Sequence, residues 1–484
     1  MNLNQDFARN VIIVSLGPII ASAFSFIAEP WIARYWEPEI FGLVSYFGSF
    51  LLMISPALFL RYNFAIVQCK NKFEEYNLVG LSIAVFSVLF IIIFILFPYF
   101  TKFLGSDFPF LRFKFNFFIS LFFASLYALL RYWAAFSRKF VQISLSTIIL
   151  QVSFTILLLI FGYLQKTDTD TIIWIRTISY ILGPIALIVI FFWKNFQTFK
   201  QHVSLRGIVL VAKKYKRFPL FEFWGFTANL IAFNIPIILI ARYWGQEING
   251  LFSKAFFIEY MFVMFVGEAI SRVLHKEYSD MVNQGKNSVP FIINTFFTLV
   301  QVSLLPFISL ILIGPELFEL FLGKTWAQSG LFAQNIAMWM FSIVVSLSFS
   351  PLFSVLNKQK QFAAFHLVLL FFRIVLLTIF GRIQMDVFNA VLIFSLVNFA
   401  LLSFQTLYIL RVAGLNLGKI LRLLLKPALQ LIPFVFLVKM IQIFISPSPI
   451  FLIIIVFVLS TPYIYLFYLK STVLPMLFGK LFKN

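Results

Sequence analysis

Apolar stretches about 20 residues long recur from Val11 to Lys470, about fourteen of them, and each is long enough to cross a hydrocarbon core about 30 Å thick. The intervals between them run to roughly 5 to 25 residues, too short to hold an extramembrane catalytic domain of about 100 residues. The rest of the composition agrees: 61% of the 484 residues are hydrophobic, 12% are charged and the mean hydropathy is +0.97. Soluble domains carry about twice that charge. A water-soluble enzyme is excluded, and the expected fold is an all-α polytopic membrane protein.

The formal net charge of +20 would point to nucleic acid if the basic residues shared one soluble patch. They are spread between the stretches instead, so no nucleic-acid partner is expected. Assigning loops alternately to two sides leaves about 25 Lys and Arg on the side of the N-terminus, about 8 on the other and about 5 inside spans. That asymmetry places the N-terminus in the cytoplasm. An even number of spans returns the C-terminus, ending Lys480-Leu481-Phe482-Lys483-Asn484, to the same side. The first stretch, VIIVSLGPIIASAFSFIAEPWIA, is too long for a signal-peptide core and lacks a small-residue cleavage pattern, so it is read as a span. Cys69 is the only cysteine, which rules out an intramolecular disulfide.

The spans are expected near residues 11–32, 41–61, 78–100, 115–136, 145–164 and 172–193, and then, after a basic connector, near 220–241, 250–272, 290–313, 330–355, 361–381, 387–410, 427–445 and 449–469. This divides the chain into an N-terminal six-helix lobe (1–193), a cytoplasmic connector (194–219), a second six-helix lobe (220–410) and two additional spans with a tail (411–484). The connector carries Lys194, Lys200, Arg206, Lys213, Lys214, Lys216 and Arg217. It reads as an anchor on anionic lipid, with recruitment of an acidic partner as the alternative.

An internal repeat explains the doubling. ARYWEPEIFGLVS at Ala33 to Ser45 returns as ARYWGQEINGLFS at Ala241 to Ser253, with Ala, Arg, Tyr, Trp, Glu, Ile, Gly, Leu and Ser in register. Each copy closes one span and opens the next after an even number of spans, so the two halves read as parallel repeats. Taken alone, the Glu and Gly of such a turn would be helix caps.

The turn ARYWEPEIFGLVSYFGSF followed by LRYNFAIVQCKNKFEEYNLVGLSI resembles the start of bacterial polysaccharide-biosynthesis membrane proteins, the O-antigen flippase family. Three later segments are similar to that family as well: KKYKRFPLFEFWGFTANLIAFNIPIILIARYWGQEINGLFSKAF, GEAISRVLHKEYSDMVNQGK and ELFLGKTWAQSGLFAQNIAMW. The resemblance implies membership of a superfamily with multidrug extruders and lipid II flippases, a fold of two six-helix lobes around a central cavity, and a bacterial cytoplasmic-membrane location. It also implies a substrate, a polyprenyl-pyrophosphate-linked oligosaccharide. As partners it implies membrane lipids and other polysaccharide-assembly membrane proteins. No cofactor is expected.

Enzyme signatures are weak. Gly323-Lys324-Thr325 resembles the end of a P-loop, but Phe318 stands where its first Gly belongs. Asp168-Thr169-Asp170 falls in a short outer loop, away from nucleotide sugars, and His202, His275 and His366 form no ligand pattern with Cys69. Ionisable residues inside spans are stronger candidates, because a charge at the bilayer centre costs at least about 2.5 to 3.5 kcal/mol. Arg131, Arg176 and Lys439 read as snorkelling to an interface. Arg373, in the middle of its span, reads as facing the cavity or as half of an intramembrane pair. Lys254, Glu268 and Arg272 fall on nearly one azimuth of the eighth span. The repeat relates Arg272 to Arg61, and two guanidinium groups there would hold a pyrophosphate through paired hydrogen bonds; ordinary positive-inside flanking is the alternative.

The expected substrate contacts are therefore Arg61, Lys254, Arg272 and Arg373, and the acids open to ion coupling are Glu29, Glu222, Glu259 and Glu268. The expected activity is flipping of a lipid-linked oligosaccharide, such as the O-antigen repeat unit of lipopolysaccharide, by alternating access and without enzymatic chemistry. A drug or metabolite exporter of the same superfamily is the nearest alternative. A membrane-embedded glycan polymerase or glycosyltransferase is the more distant one.

Overall fold

Every apolar stretch falls on a helix in the computed structural model, which describes residues 3–104, 112–192, 199, 201–445 and 447–470. In a hydrocarbon medium each backbone N–H and C=O needs a partner within its own segment, and a helix supplies one. The first half holds α1 (Leu3–Tyr35), α2 (Pro38–Ala57), α3 (Lys72–Leu104), α4 (Lys114–Phe136), α5 (Phe140–Tyr163), α6 (Thr169–Leu187), α7 (Leu205–Lys214) and α8 (Phe223–Trp244). The second holds α9 (Gln246–Asn283), α10 (Val289–Leu322), α11 (Ala327–Phe349), α12 (Gln359–Arg382), α13 (Val387–Val412), α14 (Leu417–Ile445) and α15 (Pro449–Lys470). Among the described residues twelve helices are long and apolar enough to cross a membrane, and Pro449–Tyr465 is a shorter apolar one. The protein is a multi-pass, all-α membrane protein.

Helix ends follow local chemistry. Asp168 caps α6 by accepting from the Thr171 N–H at 2.9 Å, and Asp386 caps α13 by accepting from Asn389 at 3.0 Å. Asp168 is thus an exposed cap, and its neighbour Asp170 pairs with Arg112. The hydrogen bonds from Thr171 hold the Asp168 carboxyl below its usual range. Several edges differ from the sequence expectation: α1 begins at Leu3, α14 begins at Leu417 and α10 runs on to Leu322. α3 begins at Lys72, and α9 runs on to Asn283, because Lys276, Glu277 and the residues around them continue the helix beyond the apolar zone.

The chain divides into two compact units, Met1–Gly250 and Leu251–Asn484. In the first, α5 packs between α1 and α6, α4 lies against α2 and α6, and α8 runs along α2. That last contact lies within the first unit. In the second unit α10 packs on α11, α14 and α15, and α13 lies against α11 and α12.

The repeated turn has a specific use. Gly42 lies within α2 and Gly250 within the first turn of α9, and neither is a cap. A Cβ on Gly42 would stand 2.9 Å from the Gly250 nitrogen and strike the Gln246 carbonyl, and a Cβ on Gly250 would stand 3.0 Å from the Gly42 nitrogen and strike the Pro38 carbonyl. Asn249 Nδ2 adds a hydrogen bond to the Gly42 carbonyl at 2.8 Å. Only glycine allows backbones this close.

Candidate functional site

α2 ends just after Pro56, and the chain turns sharply before α3. Leu60 (φ 47°) and Arg61 (φ 67°) are both left-handed, and a single helical turn, Tyr62–Ala65, follows. For residues with a Cβ this backbone costs of order 1 kcal/mol or more each. The break turns the Arg61 side chain inward, where the residue is 9% exposed. Its guanidinium carbon lies 4.1 Å from the centre of the Phe64 ring and 4.0 Å from that of Phe226 on α8. Nε is sealed from solvent, with no acceptor among the described residues. The adjoining Tyr62 is buried, which raises its hydroxyl above the usual range and keeps it neutral beside the cation. Phe64 is itself braced by Tyr132 and Phe218, at ring separations of 5.7 and 6.2 Å.

The connector is clasped beneath this site. Ser204 caps α7 by accepting from Gly207, and its own N–H donates to Asn77 Oδ1 at 3.0 Å, while Asn77 Nδ2 reaches the His202 carbonyl at 3.2 Å. Lys214 pairs with Glu74, and the Tyr215 hydroxyl donates to the same carboxylate at 2.7 Å. Burial, together with the bond to Glu74, pushes the Tyr215 hydroxyl well above its usual range. Burial and then the Glu74 and Glu75 carboxylates push the Cys69 thiol up to about 12. Arg206, Lys213, Lys216 and Arg217 remain exposed. Lys194, Lys200 and the tail at Lys480–Lys483 lie outside the described residues.

The other expected cations lie in the second unit, in different surroundings. Lys254 on α9 is 6% exposed, with Nζ 4.7 Å from the centre of the Trp326 ring. Arg272 is half-exposed and reaches back to Glu268, with Nε 3.2 Å from its carbonyl and 3.9 Å from its carboxylate. The repeat therefore does not give Arg61 and Arg272 the same local structure, since one sits at a helix break and the other on a continuous helix. The shared azimuth of Lys254, Glu268 and Arg272 likewise joins one buried residue to two exposed ones. Arg373 on α12 is 7% exposed, donates from Nε to Asn398 Oδ1 on α13 at 2.6 Å and lies 5.2 Å from the Trp339 ring on α11. Asn398 thus gives Arg373 an acceptor on the neighbouring helix.

Among the acids, Glu29 and Glu222 are half-buried, the latter closing a π-helical turn, Phe218–Glu222, ahead of α8. Glu259 is 2% exposed, and neither carboxyl oxygen has a hydrogen-bond partner among the described residues. Arg131 and Lys439 are exposed, while Arg176 donates to the Tyr180 hydroxyl at 3.0 Å between the Phe154 and Tyr180 rings.

Phe64, Phe226, Trp339, Asn398 and the Glu74 clasp did not stand out in the sequence. Phe64 lies three residues after Arg61, a usable local signal on a helical turn. Nothing marks Phe226 among 68 phenylalanines.

Solved structures share this architecture. The lipid II flippase MurJ in an inward closed conformation matches with a TM-score of 0.70 and 16% identity over 94% of this chain and 99% of that one. An inward-facing multidrug resistance MATE family transporter of the MOP superfamily matches at 0.61 and 14%, over 84% and 98%. At such identities the likeness is one of fold. No curated protein matches the chain. The family described as "Polysaccharide biosynthesis protein" matches residues 7–275, more than half of the sequence, and the chain belongs to that family.

Proposed function

We propose that the protein is a flippase that moves a polyprenyl-pyrophosphate-linked oligosaccharide across the cytoplasmic membrane by alternating access, with both termini in the cytoplasm. The observation that carries this reading is Arg61, a permanent cation held in a strained, enclosed position at the end of a span, with no acidic partner or other acceptor among the described residues. Burying such a charge is costly unless an anion uses it. A pyrophosphate is the anion of a lipid-linked sugar, and a guanidinium edge matches its oxygens in two parallel hydrogen bonds. Family membership supports a polysaccharide precursor as cargo, and the fold shared with a lipid II flippase supports flipping over chemistry.

In this reading Arg61 and Arg272 meet the substrate on the cytoplasmic side, Arg373 holds it near the midplane, and Lys254 receives it further out. Glu259 is the acid best suited to carry a coupling proton. An unpartnered carboxyl in the interior is tolerable only when neutral, and a second conformation that hydrates it would release the proton. The test is the leaflet accessibility of the lipid-linked sugar in cells with and without the protein. Accumulation on the inner leaflet without it supports the proposal; unchanged sugar exposure together with lost drug resistance points to an exporter instead.

A further inference from the structure

Arg61 differs from the other enclosed cations in a way that its charge alone does not explain. Lys254 lies against the Trp326 ring and Arg373 against the Trp339 ring, and Arg373 donates to Asn398. Arg176 lies between two rings, but one of them, Tyr180, accepts its hydrogen bond. Arg61 has two ring centres against its guanidinium, Phe64 at 4.1 Å and Phe226 at 4.0 Å, neither of which can accept a conventional hydrogen bond, and its Nε is closed off. The edge formed by the two terminal nitrogens is what remains to receive a ligand. The rings come from different elements: Phe64 from the turn after α2, Phe226 from α8.

We propose that Phe226 is a positioning residue for anion recognition: with Phe64 it clamps the Arg61 guanidinium flat, so that the terminal edge meets a pyrophosphate in two parallel hydrogen bonds. This rests on the reading of Arg61 as the pyrophosphate contact. Three physical consequences follow. The plates remove the torsional freedom that an arginine otherwise loses on binding, so affinity is gained by preorganisation. They attract the cation through their ring faces without competing for its N–H groups. They also require the fork itself, since an ammonium has no plane to clamp and no paired edge.

The experiment uses the purified full chain in lipid nanodiscs and inorganic pyrophosphate as the probe, with Kd measured by calorimetry and melting temperature measured without pyrophosphate. Phe226→Leu keeps the apolar bulk and removes the ring face, and is expected to weaken binding about tenfold. Phe226→Tyr keeps the face and is expected to bind like the parent. The decisive comparison is Arg61→Lys in both backgrounds: it should weaken binding about tenfold in the parent and little further beside Phe226→Leu, because the fork is no longer held there. Phe64→Leu gives the same test from the other face if Phe226→Leu melts early. Unchanged affinity in Phe226→Leu, or an Arg61→Lys penalty of the same size in both backgrounds, overturns the clamp while leaving Arg61 as the contact. Binding that survives Arg61→Ala overturns both.

Discussion

Gly42 and Gly250 meet backbone to backbone, and they occupy the same position in the two copies of the repeated turn. The relation is reciprocal: each blocks a side chain on the other, and the flanking carbonyls, of Pro38 and Gln246, are equivalent positions too. The duplicated sequence therefore preserves a contact between its copies as well as a shape within each.

Replacing Gly42 by Ala pits two effects against each other. Within a helix the exchange ordinarily gains about 0.5–1 kcal/mol, whereas overpacking costs about 1–3 kcal/mol, and here the obstruction is backbone that cannot rotate away. Gly42→Ala and Gly250→Ala are each expected to destabilise by about 2 kcal/mol or more. Thermal unfolding followed by size-exclusion chromatography checks this, and an alanine variant that melts at or above the parent contradicts the close approach.

The Arg373–Asn398 pair predicts a non-additive pattern. Asn398→Leu removes the acceptor from a buried guanidinium and is expected to cost about 2–3 kcal/mol. Arg373→Met strands Asn398 Oδ1 and also destabilises. The double variant should recover much of the loss, because replacing both partners with apolar groups leaves no stranded polar atom. Losses that simply add would show that the two residues do not act together.

The spans, the basic connector and the repeat were legible because each depends on local composition or on self-similarity. Arg61 was legible as a cation at the end of a span. Its left-handed backbone was not, since neither Leu60 nor Arg61 belongs to the residue types that favour that region. The plate on α8 was hidden because Phe64 and Phe226 are 162 positions apart and the sequence offers many phenylalanines. Arg373 shows the opposite limit: its depth in the span was readable, but its acceptor, Asn398, was not, because it lies on the next helix.

Asp168 gives a pH dependence with a definite sign. Hydrogen bonds from Thr171 lower its carboxyl below the ordinary value of 3.8. A lowered carboxyl stabilises the fold above the unfolded-state value and loses that contribution as pH falls through the folded-state value. The start of α6 should therefore loosen only at strongly acidic pH, and Asp168→Ala should remove about 1 kcal/mol at neutral pH. Hydrogen exchange at Thr171 and its neighbours, measured against pH, checks both. Protection in the parent that is lost already near pH 5 contradicts the assignment.

Glu259→Gln mimics the neutral acid and is expected to fold as well as the parent while losing its response to an imposed proton gradient. Transport in vesicles with and without the gradient measures this. A variant that still responds places the coupling elsewhere, with Glu29, Glu222 and Glu268 next in line.

Flipping itself is tested most directly in proteoliposomes, by the rate at which a polyprenyl-pyrophosphate-linked oligosaccharide becomes accessible to a membrane-impermeant lectin in the opposite leaflet. Parent protein is expected to accelerate the appearance of the sugar, Arg61→Lys to retain part of that rate and Arg61→Ala to lose most of it, with all three inserted equally. A parent rate no faster than protein-free vesicles, or an Arg61→Ala rate equal to the parent, contradicts a flippase that holds its cargo by the pyrophosphate.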